Sequence, residues 1–66
     1  MRARVNGVER DLPDGATVAT VLAELNAPPS GVAVALDGAV VPRAAWPDTV
    51  LTEGAVVEVL TAVQGG

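Results

Sequence analysis

Chemistry in a protein needs a group that can attack, be attacked, carry a proton or hold a metal. In this chain the strongest single feature of that kind is the terminal carboxylate of Gly65-Gly66. Glycine has no Cβ, so a diglycine end can enter a narrow channel and adopt φ/ψ values closed to other residues. Its carboxylate is sterically open to activation and, once activated, to attack by a nucleophile. The five residues 62–66, Ala62-Val63-Gln64-Gly65-Gly66, reach roughly 16 to 18 Å when extended. That length can thread from a docked domain into the active site of another protein. Taken alone, a diglycine is also what a frayed end or an expression scar looks like.

Composition removes most other chemistries. There is no Cys, which excludes disulfides and thiolate sites, and no His, which removes the usual proton shuttle and the commonest metal ligand. There is no Lys for a Schiff base; the cations are Arg2, Arg4, Arg10 and Arg43 against eight carboxylates. Thr17, Thr20, Ser30, Thr49, Thr52 and Thr61 offer hydroxyls without a base to activate them. Asp14, Asp37 and Asp48 sit beside turns and are explained by turn and cap chemistry. No phosphate-binding glycine loop occurs, and no carboxylates cluster for an oxygen-ligand metal site. The expectation is therefore a protein that is not an enzyme and holds no cofactor or metal. A net charge of −4 argues against nucleic acid and fits a protein partner with a basic surface. No apolar run approaches the roughly 20 residues that span a bilayer. Neither a membrane segment nor a signal peptide is visible, so a cytoplasmic location and a monomeric free state are expected.

What positions the tail is a chain of 66 residues, half of them apolar: thirteen Val, twelve Ala, six Leu, Met1 and Trp46. With one aromatic and no Ile, the core must be aliphatic and thin, stability modest, and a deep substrate pocket improbable. Asn6-Gly7 signals a two-residue hairpin turn. That turn sets Val5 opposite Val8, Arg4 opposite Glu9, Ala3 opposite Arg10, Arg2 opposite Asp11 and Met1 opposite Leu12. One face then carries Met1, Ala3, Val5, Val8 and Leu12 with Arg10. The other carries two ion pairs, Arg2 with Asp11 and Arg4 with Glu9.

Pro13-Asp14-Gly15 ends the second strand, and Thr17 is the expected N-cap of a helix. Val18, Val21, Leu22 and Leu25 form its apolar stripe over about 8 to 9 residues. Pro28-Pro29 is expected to stop it. Val32, Val34 and Leu36 alternate with Ala33, Ala35 and Asp37 in a third strand. Asp37-Gly38 turns it into Ala39-Val40-Val41, which Pro42 confines to an edge or ends. Residues 43–48 read as irregular, with Trp46 as a plug on the core or a partner contact; Val50-Leu51 reads as a very short strand. The last strand, roughly 55–61, is nearly all apolar and belongs in the middle of the sheet.

The order β-β-α-β-β with a central last strand specifies an α+β fold: a mixed sheet with one helix packed on one face. Residues 1–61 form one domain and 62–66 a tail. If Val57 and Val59 face the helix, then Val56, Glu58 and Leu60 face away, joined by Ala33 and Ala35. That open face is apolar at its centre and flanked by Arg2, Arg4, Glu9 and Asp11, which suits a partner-docking surface. The bland alternative is that so small a protein cannot hide every Val and Leu.

In these pieces the chain resembles the ThiS family, the sulfur carrier proteins of thiamin biosynthesis. The resemblance runs through Val5-Asn6-Gly7, Leu12-Pro13-Asp14-Gly15-Ala16-Thr17-Val18 and Val32-Ala33-Val34-Ala35-Leu36-Asp37-Gly38. It continues through Val40-Val41-Pro42-Arg43, Trp46 and Thr61-Ala62-Val63-Gln64-Gly65-Gly66. It implies the ubiquitin-like β-grasp fold. It further implies that a ThiF-type adenylyltransferase uses Mg-ATP to adenylate Gly66, and that a sulfur-donating persulfide enzyme converts the adenylate to a thiocarboxylate. The sulfur would pass to thiazole synthase. Gly66 would carry the sulfur, with Gly65, Gln64 and Val63 entering the partner's channel. The small subunit of molybdopterin synthase, a ubiquitin-like modifier and a plain interaction module are the competing readings.

Overall fold

The structure is a computed structural model that describes residues 1–28 and 30–62. Strands β1 (Arg2–Val5) and β2 (Val8–Asp11) form a hairpin in the register the Asn6-Gly7 turn dictates, from Arg2 opposite Asp11 to Val5 opposite Val8. Asn6 and Gly7 both take positive φ, 51° and 82°, as such a turn requires. Of the two expected ion pairs, Arg4 with Glu9 forms and Arg2 with Asp11 does not. Arg2 reaches diagonally to Glu9 at 2.8 Å, and Arg4 lies 3.9 Å from the same carboxylate. Asp11 is instead 3.8 Å from the Met1 amino group. Diagonal neighbours on a strand pair are within reach of a side chain as long as arginine. Val8, beside the turn on an outer strand, is 59% exposed rather than part of the core.

Helix α1 (Val18–Glu24) has seven residues. Thr17 caps it: its hydroxyl accepts from the Thr20 N–H at 3.2 Å, and the Thr20 hydroxyl accepts from the Thr17 N–H at 3.0 Å. The helix ends before the prolines. Asn26 adopts φ 55°, its N–H donates to the Ala23 carbonyl at 3.1 Å, and the Ala27 N–H donates to the Leu22 carbonyl at 3.0 Å. This left-handed cap ends the helix one or two residues short of the expected 8 to 9.

Strands β3 (Val32–Leu36) and β4 (Ala39–Val41) form the second hairpin. Residues Arg43–Asp48, expected to be irregular, form a 3-10 helix that starts after Pro42; the Ala45 N–H donates to the Pro42 carbonyl at 2.9 Å. Val50-Leu51 is no strand. Val50 makes a single bridge to Thr17, while Leu51 is buried. Strand β5 (Ala55–Thr61) occupies the centre of a five-stranded sheet ordered β2-β1-β5-β3-β4. It runs parallel to β1 and antiparallel to β3. This is a β-grasp. Val18 and Val21 of the helix and Val34 and Val57 of the sheet are the largest wholly buried side chains. The aliphatic core lies between the helix and one face of the sheet.

Candidate functional site

The side-chain period of two along a strand sends alternate residues of β5 to opposite faces. Val57 and Val59 are buried against the helix side, whereas Val56 is 43% and Leu60 69% exposed. Glu58 is exposed between them. In the β3–β5 ladder Ala33 lies opposite Leu60 and Ala35 opposite Glu58. The structure thus brings together on one uncovered face all five residues expected there: Val56, Glu58, Leu60, Ala33 and Ala35.

Val40 belongs with them and was missed. It lies opposite Ala35 in the β3–β4 ladder and is 78% exposed. The Asp37-Gly38 turn could have revealed it, because counting outward from that turn puts residues 35 and 40 face to face. The small Ala33 and Ala35 leave a hollow of about 140 Å³ walled by Val40, Leu60 and Glu58. Across β5 the face becomes charged. Arg4 lies opposite Val56, and a second hollow of about 330 Å³ is lined by Arg2, Arg4, Glu9, Glu53 and Val56. The face is therefore apolar towards β4 and charged towards β2.

Beyond this face β5 leads to the C-terminal segment. Ala62 is exposed, and its N–H donates to the Gly31 carbonyl at 2.7 Å. The expected sulfur-carrying Gly66 and the channel-entering Gly65, Gln64 and Val63 lie outside the described residues. Among the described residues no three or more carboxylates gather as a metal site would need. Among the described residues no helix is long and apolar enough to cross a membrane.

Trp46 is an anchor. Its Nε1–H donates to the Val41 carbonyl at 2.9 Å, its ring packs against the core, and the Arg43 guanidinium lies 5.6 Å from the ring centroid. These contacts tie the 3-10 helix to the end of β4. The plug reading accounts for the residue without a partner.

The ThiS family sequence model matches residues 3–66. The chain belongs to the ThiS family. The crystal structure of the thiamine biosynthesis protein ThiS from Geobacter metallireducens is similar over 100% of both chains, with 34% identity and a TM-score of 0.77. The NMR solution structure of a thiamine biosynthesis protein from the same organism gives the same identity and TM-score, covering 100% of this chain and 88% of the other. Among curated proteins no sequence matches. The match to the ThiS crystal structure thus spans the whole of this ThiS-family chain.

Proposed function

We propose that this chain is a sulfur carrier in thiamin biosynthesis and catalyses nothing itself. One observation supports this most: a full-length likeness to ThiS in sequence and fold, in a chain without Cys, His or Lys. Such a chain can be worked on by enzymes but has little with which to work on a substrate.

The reacting atom in this reading is a carboxylate oxygen of Gly66. A carboxylate is a poor electrophile, since resonance and negative charge both resist attack. A ThiF-type adenylyltransferase would bind Mg-ATP and let that oxygen attack the α-phosphorus, expelling pyrophosphate and leaving an acyl-adenylate. A persulfide sulfur from a donor enzyme then attacks the acyl carbon and expels AMP. A second thiol cleaves the S–S bond, which leaves the thiocarboxylate on Gly66 and a disulfide on the donor. Thiazole synthase consumes that sulfur. The open sheet face is the handle by which successive enzymes hold the domain, while Val63, Gln64 and the side-chain-free Gly65 line the channel that admits the end.

The test is intact-mass analysis of the protein purified from its own cells, with a Gly66 deletion beside it. The expected result is a species ending at Gly66 in which one oxygen is replaced by sulfur. ATP–pyrophosphate exchange by the activating enzyme should vanish on deletion of Gly66 while the fold persists. A ladder of covalent conjugates without the sulfur form, or exchange retained by the deletion, would overturn the proposal.

A further inference from the structure

We infer that Asn6 is a positioning residue for the C-terminal segment: its carboxamide grips Val59 and so fixes the line along which that segment leaves the sheet. The inference rests on the sulfur-carrier reading for what the segment does, and on the hydrogen bonds for how it is held.

The need arises from unequal strand lengths. β1 ends at Val5, opposite Val57, whereas β5 continues to Thr61. Past Val57, the β1 side of β5 would have lost its ladder, because the chain turns away at Asn6-Gly7 into β2. Asn6 fills the gap. Its backbone N–H donates to the Val57 carbonyl at 3.0 Å. Its side-chain Oδ1 accepts from the Val59 N–H at 2.8 Å, and its Nδ2 donates to the Val59 carbonyl at 3.1 Å. The carboxamide thereby supplies the acceptor and the donor that a longer parallel β1 would have offered to Val59. Its orientation follows from the pairing, since a flipped amide would set N–H against N–H and C=O against C=O.

Turn chemistry alone does not ask for asparagine here. Gly and Asp also serve at the first position of a hairpin turn with positive φ. Of the three, only asparagine also offers a donor and an acceptor to Val59 at once. On the other edge β5 pairs with β3 and then with the Gly31 carbonyl through Ala62. The strand is thus held from both sides at Val59, and its direction is set before the tail begins. From Ala62 to Gly66 is a reach of at most about 14 Å. Over so short a lever, a loosened strand moves the carboxylate, and misplacing a reacting group by about 1 Å can cost up to about 100-fold in rate.

Two variants test this. Asn6→Gly keeps the turn and deletes the grip. Asn6→Asp keeps the turn and the acceptor but sets a carboxylate oxygen against the Val59 carbonyl. Hydrogen exchange should be faster at the Val59 amide in Asn6→Gly, which loses the acceptor, while Ala35 and Glu58 in the β3–β5 ladder keep their protection. With each variant as the varied substrate in ATP–pyrophosphate exchange, kcat should fall about tenfold or more with KM within about twofold of wild type. A residue that served only folding would change neither parameter once the protein is folded, and one that served docking would raise KM alone. Faster Val59 exchange with unchanged kcat, a change confined to KM, or no change at the Val59 amide of Asn6→Gly would each overturn the inference. If the wild-type chain supports no exchange at all, the sulfur-carrier reading fails instead, so the two failures are distinguishable.

Discussion

Under the proposed function, replacing Leu60 by Ala should weaken docking to the activating enzyme while sparing the fold. Leu60 is 69% exposed in the free domain, so folding has already buried about a third of it. Complete burial of a leucine side chain is worth about 1.5–3 kcal/mol. Docking that covers the remaining two thirds would draw about 1–2 kcal/mol from this residue, or roughly 5- to 30-fold in Kd. The corresponding loss to the fold is only about 0.5–1 kcal/mol. Leu60→Glu should do more, because it adds a carboxylate beside Glu58, and a partner would have to desolvate both. Calorimetric titration against the ThiF-type enzyme reads the docking term, and urea denaturation of the same samples reads the fold. Val50→Ala is the control: Val50 is 58% exposed but lies in the loop bridged to Thr17, outside the five-stranded sheet. Should Leu60→Ala shift Kd less than about twofold, or no more than Val50→Ala does, the open face is ordinary surface and the argument fails.

Much of this geometry could be read from the chain because it follows from local rules. Asn6-Gly7 dictates a turn, the turn dictates a register, and the register dictates which residues share a face; β1 and β2 obey it residue by residue. β5 is nearly all apolar, which assigns it to the middle of the sheet, and the strand is central. The misreadings came where two local signals competed or where a side chain acted at a distance. Pro28 looked like the helix stop, yet Asn26 could adopt a left-handed cap earlier, and capping the free carbonyls ends the helix there. The prolines at 42 and 47 suggested irregular chain, but Pro42 precedes a 3-10 helix whose first turn closes on its carbonyl, and Pro47 is carried within it. Arg2 looked opposite Asp11 for a partner and found Glu9 on the diagonal. The grip of Asn6 on Val59 spans 53 residues of chain; turn chemistry already accounted for an asparagine at that position, so nothing signalled a second task.

Two further substitutions separate the buried side of β5 from its exposed side and its exit. Val57→Ala removes two methyl groups from a side chain with no exposure, packed with Val18, Val21 and Val34. It should cost about 2–3 kcal/mol in urea denaturation from transfer plus cavity, and a loss below about 1 kcal/mol would mean that the thin core repacks around it. Gly31→Ala acts at the exit. Gly31 holds φ 73°, and an added Cβ would lie 3.4 Å from the Ala62 Cβ. A left-handed backbone costs a non-glycine residue about 1–2 kcal/mol, and relief of that strain would pull the Gly31 carbonyl away from the Ala62 N–H. The expected outcome is a lower denaturation midpoint with faster exchange at the Ala62 amide, whereas Val59, gripped by Asn6 from the opposite edge, stays protected. Loss of protection at both amides together would show that the two edges of β5 do not hold independently, and the separate grips assigned to Asn6 and Gly31 would then have to be treated as one.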